Sequence, residues 1–314
     1  MKSRIMAAIV AATIFSLPAK SDTFPEKEIT VIVNYGAGGG TDLSTRALAA
    51  AMEESLGQST KVVNRSGGSG TVGPTFVAFT EPDGYTIGVT SFSPLAVTPH
   101  MRDVPYNVDS FRYLGGYVRY TYGIAVSADS PYQSIQDIVD AGKNGVEIKY
   151  AGASSIGAVA MSRLGDVAGI KFKLIRYKSG KETTTAVLSD QVDIMIGNVS
   201  DIVPFVEAGQ LRALASASNV RLPGLPDIST LKELGFDTAT ESYAGLGVPA
   251  KTGDSEVAAL EAAMKAAFDD AEFQATLEKI GLEPAYFSGA DYQKLVHEGY
   301  SEMGDDLANL GMAK

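Results

Sequence analysis

The sequence predicts an α/β protein of two lobes, each a mostly parallel sheet flanked by helices, joined by strands that cross between them. Three observations carry this. At 314 residues the chain is long enough for two domains of roughly 150 residues each. Short β-branched runs alternate with apolar residues at helical spacing, as in parallel sheets covered by helices. Glycine occurs 33 times, well above the average of about 7%, which suits many tight strand-to-helix turns. With 45% hydrophobic and 20% charged residues, the composition is that of a folded globular chain.

The elements follow in order. Residues 1–21 read as a secretory signal: Lys2 and Arg4 precede an uncharged apolar run over 5–17, and Ala19-Lys20-Ser21 offers small residues for cleavage near residue 21. The run is shorter than the roughly 20 residues of a membrane span. With no cysteine to carry a lipid, the expected product is exported to the periplasm. Residues 29–33 form the first strand, a glycine loop follows, and 43–56 has helical periodicity. The next strand begins at Lys61. The same unit recurs at 147–150 with 158–167, at 172–177 with 183–188, and at 193–196 with 202–207. Residues 253–311 read as almost wholly helical, with the last helix over 290–310. No linker of low complexity interrupts the chain, so the lobes should be joined by crossing strands, for which 120–126 and 242–248 are the candidates. The expected division is 22–121 plus 249–314 for one lobe and 122–248 for the other.

Composition excludes several functions. Lys and Arg number 26 against 37 Asp and Glu, a formal net charge of −11, and removing the leader takes Lys2, Arg4 and Lys20 with it. That balance, with no basic stripe, argues against a nucleic-acid partner. The absence of cysteine excludes disulfides, thiolate metal sites and thiol nucleophiles. No Gly-x-Ser-x-Gly elbow or His-Glu-x-x-His helix is present, and His100 and His297 read as surface or packing residues. Asp269-Asp270 and Asp305-Asp306 read as solvated helix faces. No cofactor and no catalytic residue is expected, and the chain is expected to be a monomer.

The sharpest local signal is Asn34-Tyr35-Gly36-Ala37-Gly38-Gly39-Gly40-Thr41-Asp42, between a strand and a helix. Glycines let the backbone approach a ligand, and the helix presents unpaired N–H groups at the positive end of its dipole, so the loop suits an anion. It lacks the lysine of a P-loop and the third glycine of a dinucleotide fingerprint, and Asn64-Arg65 stands where that fingerprint has an acid. Tight packing alone is the other reading of such a loop. Asp42 either complements the helix dipole or borders the site. A second loop of the same kind, Ala151-Gly152-Ala153-Ser154-Ser155-Ile156-Gly157, opens a later helix; its serines suit N-caps as well as ligand contacts. Two opposed loops of this kind suggest a cleft. The residues expected around the ligand are Tyr35, Gly36, Ala37, Gly38, Gly39, Thr41, Asp42 and Ser91 on one side, and Ser154, Ser155, Arg176 and Asn198 on the other.

The ordered motifs resemble the substrate-binding proteins of tripartite tricarboxylate transporters, the Bug or TctC family. The resemblance runs from Phe24-Pro25-Glu26-Lys27 through Gly38 to Asp42, Asn64-Arg65-Ser66-Gly67-Gly68, Pro82-Asp83-Gly84-Tyr85-Thr86, Gln191-Val192-Asp193 and Glu207-Ala208-Gly209-Gln210 to Gly247-Val248-Pro249-Ala250, across essentially the whole mature chain. It implies a two-lobed periplasmic-binding-protein fold, a small mono-, di- or tricarboxylate held by main-chain N–H groups, and delivery to integral-membrane permease subunits driven by an ion gradient. Four departures fall around the ligand. Asn34-Tyr35-Gly36-Ala37 replaces an apolar proline-rich approach, and Ile156-Gly157-Ala158 replaces a Ser/His end. Arg176 replaces a proline, and Gly197 replaces an acid. The last two favour an anion over an amino acid, whose ammonium group wants a carboxylate partner. A ligand-presenting sensor subunit would use the same fold. A secreted NADP-dependent oxidoreductase would explain one loop and Arg65 only.

Overall fold

The computed structural model describes residues 24–314, so the expected secretory signal lies outside the described residues. The chain forms two sheets. The larger contains β1 (Ile29–Val33), β2 (Thr60–Asn64), β3 (Thr86–Val89), β4 (Phe111–Tyr120), β10 (Ser242–Pro249) and β11 (Glu283–Ser288), in the order β11-β4-β10-β3-β1-β2. The smaller contains β5 (Tyr122–Ser127), β6 (Ile148–Gly152), β7 (Phe172–Arg176), β8 (Ile194–Asn198) and β9 (Leu211–Ser216), in the order β7-β6-β8-β5-β9. Each sheet has one parallel half, β2-β1-β3 and β7-β6-β8, to which the returning strands add antiparallel pairs.

β1, flanked by β2 and β3, is buried on both faces, which is why it is apolar but for Thr30 and why Val31 and Val33 have no exposed surface; the outer strands β2 and β7 stay partly exposed. Helices cover the parallel half. α1 (Gly40–Leu56) packs its Leu48 and Met52 face beneath α8 (Asp254–Phe268) and α9 (Ala271–Lys279), while α2 (Val72–Ala78) and α3 (Thr98–Met101) are short connections. Around the smaller sheet lie α4 (Ile135–Lys143), α5 (Ser155–Ala168), α6 (Gly180–Leu188) and α7 (Val199–Glu207). The last helix, α10 (Gly289–Asn309), crosses back: Asp306 pairs with Arg163 of α5, whose guanidinium also donates to the Ala239 carbonyl at 2.9 Å. His100 stacks on Tyr300 of α10, 4.2 Å between ring centroids.

Two expectations need correction. The C-terminal stretch is interrupted by β11, whose Pro284, lacking an N–H, is tolerated because β11 is the sheet's outermost strand; Tyr286 and Phe287 supply the β-forming aromatics. Segment 242–248 does not cross. β10 pairs with β4 from Ser242 opposite Tyr120 to Pro249 opposite Phe111, with Ala244, Leu246 and Val248 buried, so it belongs to the larger sheet throughout. The chain passes from one sheet to the other at Thr121, between β4 and β5, and returns through the irregular segment 217–241. Thr121 is buried, and its carbonyl accepts the Val199 N–H at 3.0 Å, tying the outward crossing to the start of α7.

Candidate functional site

Four helices begin where the two sheets face each other, and their first turns are finished in two ways. Ser154 caps α5 by accepting the Gly157 N–H at 3.2 Å, and Ser179 caps α6 by accepting from Glu182 at 3.2 Å. α1 and α7 begin at Gly39 and Asn198 with no side-chain cap. First-turn amides without a cap from the N-cap side chain, and the positive ends of two helix dipoles, are therefore directed into the space between the sheets.

These two ends approach one another. A Cβ on Gly40 would strike the Ser200 hydroxyl, so only glycine allows α1 to begin here. Between the ends lies Asp201, which is 6% exposed and has its carboxylate facing the Gly40 and Asn198 amides. A Cβ on Gly180 would overlap that carboxylate. Burial pushes the Asp201 carboxyl up to about 7, against the pull of those two amides.

The cavity around this point offers about 40 Å³ to the centres of water molecules, a few times the ~10–15 Å³ that one water requires. It suits a small ligand. Its walls carry the hydroxyl-bearing residues Tyr35, Thr41, Ser91, Ser93, Tyr120, Tyr122, Ser154, Thr183 and Ser242, and Asp201 is the one charged residue among them. Asn198 also faces it, and its side-chain oxygen is buried without a hydrogen-bond partner. Burial raises the phenol pKa values of Tyr35 and Tyr122, the latter to about 12, so both stay protonated and able to donate.

Of the residues expected from the sequence, Tyr35, Gly39, Thr41, Ser91, Ser154 and Asn198 line this cavity. The other six lie outside its walls. Gly36 donates its N–H to the Lys178 carbonyl at 3.2 Å, linking the first loop to the turn before α6. Ala37 and Gly38 carry the loop around, Gly38 at φ +82°, a left-handed conformation that glycine adopts without strain. Asp42 turns away. Burial would raise its pKa, but Arg46, the Gly38 amide and Asn64 hold the carboxyl below its ordinary value, with distances of 3.0, 2.8 and 2.8 Å. It braces the loop from behind. Ser155 accepts from Thr98 Oγ1 at 2.9 Å, and the neighbouring Ile156 N–H donates to Ser93 Oγ at 3.1 Å, so the start of α5 binds the opposite lobe. Arg176 donates to Ser69 Oγ at 2.7 Å, in the glycine-rich turn whose Gly70 packs on the Tyr35 ring.

The sequence reading missed Gly180, Thr183, Ser93, Tyr120, Tyr122, Ser242 and Asp201. For Ser179-Gly180 the signal was available, a strand followed by a small-residue turn and a helix. Asp201 gave none, since an acid in a helix's first turn is commonplace.

Comparison with known proteins places this geometry. A family model described as the tripartite tricarboxylate transporter family receptor matches residues 44–312. A Cupriavidus necator protein of the UPF0065 group is 30% identical over 100% of this chain and 97% of its own length. Among solved structures, the periplasmic binding protein BugD is 26% identical with a TM-score of 0.87, covering 93% of this chain and 100% of that one. An R. palustris protein solved with adipate is 26% identical with a TM-score of 0.86, covering 92% and 99%.

Proposed function

Because this chain belongs to the tripartite tricarboxylate transporter receptor family, we propose that it is an exported, monomeric binding protein. It captures one small carboxylate between its lobes and hands it to the membrane permease subunits of a secondary-active transporter. The observation that carries this reading is the cavity between the two sheets, lined by hydroxyls and by the uncapped starts of α1 and α7. Hydrogen bonds from such groups hold a carboxylate at roughly 1.5–3 kcal/mol each, so a few of them support micromolar binding, about 8 kcal/mol. The adipate held by the R. palustris relative supports the ligand class. No helix among the described residues is long and apolar enough to cross a membrane.

In this reading one lobe is built on the larger sheet and the other on the smaller, hinged at Thr121 and within 217–241. Tyr35, Gly39, Thr41 and Ser91 meet the ligand from the first lobe, and Ser154 and Asn198 from the second. Closure is favoured by the ligand's contacts with both. The interlobe pairs Ser155–Thr98, Ile156–Ser93 and Arg176–Ser69 would then exist only when closed. A thermal-shift screen over mono-, di- and tricarboxylates, adipate included, tests the proposal. A bound carboxylate at a hundredfold excess over its Kd adds about 2.7 kcal/mol of stability. Chemical turnover of a bound carboxylate, or no stabilisation by any of them, would overturn it.

A further inference from the structure

Asp201 is an acid at the place where the proposed ligand needs to put its own. Its carboxylate occupies the gap between the opposed starts of α1 and α7, beside Gly180 at the start of α6. A Cβ built on Gly39 would lie 3.8 Å from its Oδ1, and one on Gly197 3.8 Å from its Oδ2. The acid that the family resemblance leads one to expect at 197 is thus supplied from one turn along the next helix. Ligand and Asp201 must share the same amides.

Among the described residues no cation faces this carboxylate; Arg176, whose charge acts on the Tyr35 phenol, donates to Ser69 Oγ at 2.7 Å. On α1 the charges of Asp42 and Arg46 are paired with each other, with Asn64 also on Asp42. On α6 the inward side chains are Thr183 and Thr184, both neutral; the Lys181 side chain lies by Gly38, and Glu182 holds the Lys178 amide. β8 contributes Ile196 and Gly197. From the crossing strands come the phenols of Tyr120 and Tyr122, and from the first loop that of Tyr35, all held protonated by burial. On α7 itself Ser200 is uncharged. Two carboxylates held side by side in this pocket with no cation between them resist ionising together.

We infer that Asp201 takes up one proton from solvent when a carboxylate binds and, as the neutral acid, donates a hydrogen bond to it, so that loading of the site is proton-coupled. This rests on the carboxylate reading above. No covalent bond changes: the proton moves from solvent to a carboxylate oxygen of Asp201 on binding and returns to solvent on release. Burial already pushes this carboxyl up to about 7, so protonation near neutrality costs little.

Calorimetry with adipate at pH 6.5 and 8.5 tests the inference. For a site that binds only with Asp201 protonated, affinity should fall about tenfold or more across this interval. At pH 8.5, titrations in two buffers of different ionisation heat should report uptake of close to one proton per adipate. Asp201→Asn, a neutral isostere, should bind adipate at both pH values with the affinity the native protein shows at pH 6.5. Equal affinity at both pH values without proton uptake would overturn the coupling while leaving carboxylate binding intact. Affinity that rises with pH would also overturn it, showing that the ionised Asp201 pairs with a positive group. If neither adipate nor any other carboxylate binds at either pH, the carboxylate reading falls, and this inference with it. Should Asp201→Asn fail to fold, the two-buffer measurement on the native protein decides alone.

Discussion

The starts of α1 and α5 look alike in sequence, each a glycine-bearing loop after a strand, yet they are finished differently. α5 is capped by Ser154, and its next free amide, Ile156, is taken by Ser93 of the other lobe. α1 begins at Gly39 without a side-chain cap and lends its Gly40 amide to a buried carboxylate. The comparison shows that similar loops can direct their first-turn donors either across to the other lobe or toward a carboxylate in the cavity. α5 spends its donors on closing the lobes, and α1 keeps them in the cavity.

The largest expected effect tests the carboxylate held between α1 and α7. The folded pKa of Asp201, about 7, lies above its ordinary 3.8, so the native state holds the proton more tightly than the unfolded chain. Its contribution to stability is therefore present at low pH, declines as pH rises from about 4 to about 7, and is lost above that. Asp201→Asn should remove this dependence and, at pH 8.5, stabilise the protein by roughly 3–5 kcal/mol. Urea denaturation of both proteins at pH 5 and 8.5 measures it, and an unchanged difference between the two pH values would refute the buried charge.

Gly180→Ala comes next. Its Cβ would overlap the Asp201 carboxylate, and overpacking of this kind costs about 1–3 kcal/mol. The displaced side chain should also fill the cavity, so calorimetry should show adipate affinity falling further than stability does. Ser155→Ala probes the start of α5. Removing its bond to Thr98 should cost about 0.5–1.5 kcal/mol of the closed state. Small-angle scattering of the liganded variant should show a more open average particle than the liganded native protein; identical profiles would mean that this bond does not hold the lobes.

Gly39→Ser is the smallest change and the sharpest. Gly39 has φ −87° and ψ 169°, conformations any residue adopts, and a Cβ would sit at ordinary contact distances of 3.7–3.9 Å. Serine should cap α1 and raise thermal stability by a few tenths of a kcal/mol. The same hydroxyl takes an amide from the ligand, so adipate binding should weaken as the fold strengthens. Parallel changes in both would show that the two helix ends do not differ in the way described.

The sequence by itself determined the strand-loop-helix units, the glycine loop at 34–42 and the serines at 154 and 155, because these depend on local periodicity, backbone freedom and capping chemistry within a few residues. It also carried the family, since ordered motifs survive along the whole chain. It misread β11 as helix and 242–248 as a crossing, because pairing with β4 is a partnership between segments more than a hundred residues apart. Asp42 and Asp201 show the same division. Both are acids in the first turn of a helix, but Asp42 has Arg46 one turn on where Asp201 has the neutral Phe205. Tertiary structure decided that Asp42 turns to Arg46 while α1 and α6 close over Asp201. A buried charge is defined by what surrounds it, and here α1, distant in the chain, and α6 supply much of the surroundings.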